Sequence, residues 1–155
     1  NYYDEENDFS TSFVAANLGG QVKAFGDVHE HLPINLQWGF TKGIAHAPIR
    51  FSLTLTDLTR WSKRYFYNAD KEPGFGRILM NHFNLGVDVV PSDRFYVGIG
   101  YNFRRAAELK AAGSSHMAGL TLGAGLSLKK FKFGIAYAKY HISAPSLSAS
   151  ISYTL

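Results

Sequence analysis

The run His29-Glu30-His31 is the densest set of potential metal ligands in the chain. Two imidazoles at i and i+2 leave one face of an extended segment and are donors that zinc accepts, but no further ligand is implied beside them. The run reads as solvated loop, and neither a metal nor a cofactor is expected. The other histidines, His46, His82, His116 and His141, lie near the ends of alternating stretches, where an interfacial position accounts for them. A hydrolase would need a serine, a histidine and an acid that meet in space. Serine is abundant, yet no Gly-x-Ser-x-Gly context occurs, so no catalytic residue is assigned and the chain is not read as an enzyme. Gly98-Ile99-Gly100 and Gly123-Ala124-Gly125 sit inside extended stretches with no helix following, which removes phosphate cradling. Cysteine is absent, so there is no disulfide framework and no thiolate site.

The serines belong to a different pattern. From Pro145 onward Leu147, Ala149, Ile151, Tyr153 and Leu155 alternate without exception with Ser146, Ser148, Ser150, Ser152 and Thr154. Period-two alternation puts one side-chain set on each face of a β-strand. A row of small hydroxyl residues opposite a row of apolar ones suits a wall with lipid outside and a polar interior. The pattern recurs upstream in Ile34, Leu36, Trp38 and Phe40; in Ile49, Phe51, Leu53 and Leu55; and in Phe83, Leu85, Val87 and Val89. It continues in Phe95, Val97, Ile99, Tyr101 and Phe103, in the even positions from Ala118 to Leu128, and in Phe131, Phe133, Ile135 and Tyr137. Phe9 to Ala16 alternates only partly and reads as a weak strand, whereas Asn1 to Asp8 reads as acidic loop. These amount to about eight strands of ~10 residues, the length that spans a bilayer at barrel tilt.

The connections carry a second signal. Ala45–Pro48, Pro91–Asp93 and Lys129-Lys130 are short and fall on one end, while Asn17–Pro33, Leu58–Leu79 and Arg104–Ser115 are long and fall on the other. All three long stretches are read as loops, and only the brief link at Ser143–Pro145 departs from the rule. Short periplasmic turns and long external loops are the habit of outer-membrane barrels. The fold expected is therefore all-β, an antiparallel up-and-down outer-membrane β-barrel, with 1–155 as a single domain.

Composition is compatible. Aromatic residues make up 15% and charged residues only 18%, a balance that suits an aromatic-girdled β-protein. No run approaches ~18 apolar residues, so a transmembrane helix is excluded, a test that a barrel escapes because its inward residues are polar. The net charge of +4 is spread without a dense basic patch, and no nucleic-acid partner is expected. The chain opens on Asn1 with no charged and apolar leader, so a secretory signal is expected to have been removed or to lie outside this piece. Gly98, Gly100, Gly119, Gly123, Gly125 and Gly134 crowd the polar face. Either another backbone approaches there, as a plug or inward-folded loop, or the glycines relieve bending in a curved wall.

Trp61, Arg64, Tyr65, Phe66 and Tyr67, with Arg104 and Arg105, lie in the inferred external loops. Aromatic and arginine residues together are enriched at interface hot spots, which makes these the candidate partner-docking residues. The competing reading is an interfacial aromatic girdle at the lipid headgroups, with the arginines on lipopolysaccharide phosphates.

APIRFSLTLTDLTRW (Ala47–Trp61), the Asn-Leu-Gly at 17–19 with LPINLQWGF (Leu32–Phe40), NLGVDVVPSDRFYVGIGYNFRR (Asn84–Arg105) and the closing FKFGIAYAKYHISAPSLSASISYTL resemble the PorV/PorQ group of type IX secretion outer-membrane proteins. That group is similar to the FadL fatty-acid-transporter barrels, and the resemblance covers nearly the whole chain. It implies a larger barrel of about fourteen strands, of which this would be the C-terminal part. It implies a component that anchors a cell-surface attachment complex in the outer membrane, with outer-membrane lipid and lipopolysaccharide around it and PorZ as surface partner. The family ending carries an aromatic, whereas Leu155 ends this chain two residues after Tyr153. The alternatives are a FadL-like channel for hydrophobic compounds and a self-contained eight-stranded barrel of OmpX type.

Overall fold

A computed structural model of the chain describes residues 1–19, 33–66, 72–113, 117–139, 141 and 144–154. It contains one antiparallel sheet of nine strands in which spatial order follows chain order. These are β1 (Tyr2–Asp4), β2 (Phe9–Ala16), β3 (Asn35–Gly43), β4 (Ile49–Leu55), β5 (Phe83–Ser92), β6 (Phe95–Asn102), β7 (Leu120–Leu128), β8 (Phe131–Ala138) and β9 (Ser146–Tyr153). Two helices interrupt the meander, α1 (Phe75–Asn81) between β4 and β5 and α2 (Phe103–Ala111) between β6 and β7. The alternating stretches fold as all-β up-and-down sheet, as their period requires. The described residues leave β1 and β9 as its two edges. Among them, no helix is long and apolar enough to cross a membrane.

Register turns the alternation of single strands into faces of the whole sheet. Ile49, Val89, Val97, Ala124, Ile135 and Ala149 lie side by side across six strands. One step along, Arg50, Asp88, Gly98, Gly123, Ala136 and Ser148 form the matching row on the opposite face. A slip of one residue in any pair would mix the two sets, so the pattern itself pins the register. The apolar face is left uncovered among the described residues: Ile135 is 52% exposed and Ile151 72%. On β6 and β8 it has a further order, with Phe95 and Tyr101 bracketing Val97 and Ile99, and Phe131 and Phe133 facing Tyr137 across Ile135.

Asp4, Thr11 and Lys42 are polar side chains on this face, and each is dealt with internally; Asp4 accepts from Asn7 Nδ2 at 2.8 Å. Thr11 Oγ1 donates to the Gly39 carbonyl at 3.0 Å and accepts from Trp38 Nε1 at 2.9 Å. Lys42, opposite Phe9 and Phe51, runs its ammonium along the strand to the Asn7 carbonyl in the β1–β2 turn.

At Gly119 the Asn102 backbone approaches closely, as one expectation had it, whereas Gly98, Gly100, Gly125 and Gly134 have a local explanation that neither expectation supplied. A Cβ on Gly125 would stand 2.1 Å from the Tyr96 ring, one on Gly86 2.3 Å from Ser52 Oγ, and one on Gly98 2.3 Å from Asp88 Oδ1. Each of these glycines lies beside that residue in the ladder, so a polar side chain leans sideways over a strand that has none. Tyr96 over Gly125 is the aromatic form of this cover.

Connections 5–8, 44–48, 93–94 and 129–130 fall on one end of the sheet, and 17–34, 56–82, 103–119 and 139–145 on the other. The sorting of short and long connections holds, and 139–145 is longer than the brief link expected there. Three expectations are corrected. Residues 2–4 are a strand, because Tyr2 and Asp4 pair with Thr11 and Phe9. Leu58 to Leu79 and Arg104 to Ser115 are not merely loop, since α1 begins inside the first and α2 occupies most of the second. Pro91 and Ser92 end β5 rather than turn it, and the register shift between Val89 and Ser92 absorbs the proline.

Candidate functional site

Among the described residues, most buried side chains lie not under the sheet but among its long connections. Phe66, Ile78, Asn81, His82, Ala106, Leu109 and Ala118 are all buried, and together with Pro73 they form a cap over that end. Its construction starts where β4 stops. Thr56 N donates to the His82 carbonyl at 2.9 Å, which carries the β4–β5 pairing one step past Leu55. Asp57 then takes a left-handed conformation, φ 55°, which turns the chain back over the start of β3. There Asp57 N donates to Asn35 Oδ1 at 3.2 Å, Leu58 N to the Leu36 carbonyl at 3.1 Å and Thr59 Oγ1 to the Ile34 carbonyl at 2.8 Å.

Helix α2 is positioned by its own first turn. Asn102 caps it, its Oδ1 accepting from Arg105 N at 2.7 Å. Gly119 meets it from the far end of the connection. With φ +79° and the Asn102 carbonyl 2.5 Å from where a Cβ would be, only glycine fits there.

This geometry brings Arg104 to the centre of the cap. Its Nη1 donates to Asp57 Oδ2 at 2.6 Å and to Tyr65 Oη at 2.8 Å, while Nε donates to Glu108 Oε1 at 2.7 Å. The guanidinium also lies over the Tyr65 ring, 4.5 Å from its centroid, and Arg60 covers the same ring at 4.4 Å. Burial acts to lower the Arg104 pKa. The hydrogen bonds to Glu108 and Tyr65 outweigh it, so the pKa stands above the ordinary arginine value.

His82 is the second hub. Its Nδ1 is 2.7 Å from the Thr56 carbonyl, and because a carbonyl only accepts, Nδ1 carries the proton. The ring is 4.2 Å from the Trp61 ring and meets Phe66 edge-on at 5.0 Å. Nε2 is buried with no hydrogen-bond partner among the described residues. The interfacial position expected of His82 is thus corrected: it is 1% exposed, held inside the cap.

The candidate docking residues divide by placement. Phe66 is buried and Arg104 is committed to three acceptors, so both build the cap. Tyr65 is half-buried between two arginines. Trp61 is exposed at its outer side, with Nε1 bonded to the Leu58 carbonyl, and Arg64 is exposed beside it. Arg105 lies apart, lining a cleft with Asn84, Asn102 and Lys139 on the polar face. Tyr67, like His29, Glu30, His31, His116 and Leu155, lies outside the described residues.

Sequence reasoning missed Asp57, Glu108 and Thr56 as members of this cluster. The Arg104–Glu108 spacing of four inside an alanine-rich run was a readable helix signal. Among the described residues, no group of three or more His, Asp or Glu side chains is arranged to hold a metal ion. Compared with family models, curated proteins and solved structures, the chain matches none.

Proposed function

We propose that the chain is wall of an outer-membrane β-barrel and that its role is the one the PorV/PorQ resemblance implies: anchoring a cell-surface attachment complex of type IX secretion. The observation that carries the membrane part is the uncovered apolar face. Soluble monomers rarely expose contiguous apolar patches beyond a few hundred Å², and a sheet normally buries such a face under a second layer. Lipid is the solvent that suits rows of Val, Ile, Leu and Ala closed off by Phe and Tyr at each end. From Phe95 to Tyr101 the strand rises about 20 Å, which fits a bilayer once tilt is allowed.

In this reading the short turns face the periplasm and the cap faces outward. The Arg104 and His82 networks hold the cap rigid, so Trp61 and Arg64 are presented to a partner at little ordering cost. PorZ is the partner that the resemblance implies. The polar face, with Arg50, Ser52, Thr54 and Asp88, suits water better than an acyl chain, which favours anchoring over passage of hydrophobic compounds. The test is affinity capture of the tagged full-length barrel from outer membranes, with wild type beside Trp61→Ala/Arg64→Ala. Recovery of one surface protein by wild type, reduced in the variant, is expected. Recovery of none would end the docking role.

A further inference from the structure

We propose that the polar face carries an oxyanion site at its short-turn end, taking a phosphate-class anion. The register sets four side chains in a lateral row there. Arg94 and Ser127 are joined by Ser127 N donating to the Arg94 carbonyl at 2.6 Å, Ser127 pairs with Lys132, and Lys132 pairs with Ser152. The row therefore reads cation, hydroxyl, cation, hydroxyl. Two interstrand spacings set the two cationic backbones about 10 Å apart, a gap that their long side chains close easily. The next row is Tyr96, Gly125, Gly134 and Ser150, in which the Tyr96 ring lies over Gly125 and Ser150 Oγ leans over Gly134. Together the two rows bound a cavity of about 330 Å³.

Charge selects the ligand. Among the described residues neither Arg94 nor Lys132 has an ion-pair partner. Asp93 lines the same cavity and leaves it with a net positive charge, while Asp88 is turned onto Gly98. An arginine fork, an ammonium and two hydroxyls that donate freely match the several acceptor oxygens of a phosphate group. The site does not rest on the membrane reading, since it uses only the polar face.

The test is calorimetric titration of inorganic phosphate into the full chain, refolded in uncharged detergent at low ionic strength. Saturable binding to one site is expected. Arg94→Gln and Lys132→Gln are each expected to weaken it about tenfold. Arg50→Gln, which removes the same charge from the same face outside the cavity, is expected to change it less than about twofold. All three are exposed, and the far-ultraviolet β signature of each variant is recorded to establish that it folds. Wild-type heats that never saturate, or equal weakening by all three variants, would overturn the site. Doping the micelles with phosphatidylglycerol identifies the source. Loss of phosphate affinity in wild type assigns a lipid headgroup, an unchanged affinity assigns free phosphate, and either result upholds the site.

Discussion

The guanidinium of Arg104 and the carboxylate of Asp57 meet at 2.6 Å although 47 positions separate them in the chain. Both side chains are mostly buried, so the pair ties the β4–β5 connection to α2 with little screening. Arg104→Ala leaves Asp57 without its cation and is expected to cost about 2 kcal/mol, read as a lower urea midpoint in detergent. Arg104→Lys recovers little of that, because one ammonium cannot replace a fork that serves three acceptors. A Lys variant as stable as wild type would show that the network is not what holds the cap.

The chain contains two tryptophans, and they sit in opposite surroundings. Trp38 lies on the apolar face and Trp61 in the cap. In vesicles made with brominated lipid, the Trp61→Phe variant, which reports Trp38, is expected to be strongly quenched. The Trp38→Phe variant, which reports Trp61, is expected to be quenched weakly. Equal quenching of both would remove lipid from the apolar face.

Two glycines, Gly119 in the cap and Gly123 on the polar face, should respond oppositely to alanine. At Gly119 the left-handed backbone and the Asn102 carbonyl leave no room, and Gly119→Ala is expected to cost about 3 kcal/mol. At Gly123 a Cβ would meet only the Ile135 carbonyl at 3.7 Å, an ordinary contact. Gly123→Ala should be neutral or stabilise by about 0.5 kcal/mol, since it restricts the unfolded chain. Paired thermal unfolding curves decide this.

Removing the His82 ring opens a gap between Trp61 and Phe66 and strands the Thr56 carbonyl. His82→Ala is expected to cost about 3 kcal/mol and to make the 56–82 connection a site of rapid proteolysis. Unchanged cleavage kinetics would mean that the cap is not organised by this ring.

The strands were legible because alternation is a backbone property repeated over every strand from β3 to β9, and each observed boundary falls within two or three residues of the alternating stretch. β1 was not legible because three residues, Tyr2 to Asp4, are too few to display a period. α1 was illegible for a different reason: it is one short segment with a glycine at 76 and no side-chain cap at Gly74. α2 was readable, with Asn102 before it and Arg104 and Glu108 on one face, although the same polar stretch also suits a connecting loop. The cap is tertiary. Nothing near Asp57 in sequence points to Arg104, and nothing around His82 announces that Trp61 and Phe66 will enclose it.

Under the membrane reading proposed above, the apolar face left uncovered among the described residues has a consequence for the polypeptide before it is inserted. Two copies meeting in water would stack hydrocarbon to hydrocarbon, and the uncharged strand β9, SLSASISY, an edge among the described residues, offers a further place to adhere. Newly made chain therefore has no safe idle period in the aqueous phase. On that reading, escort by a holding chaperone and prompt delivery are what the exposed hydrocarbon would require.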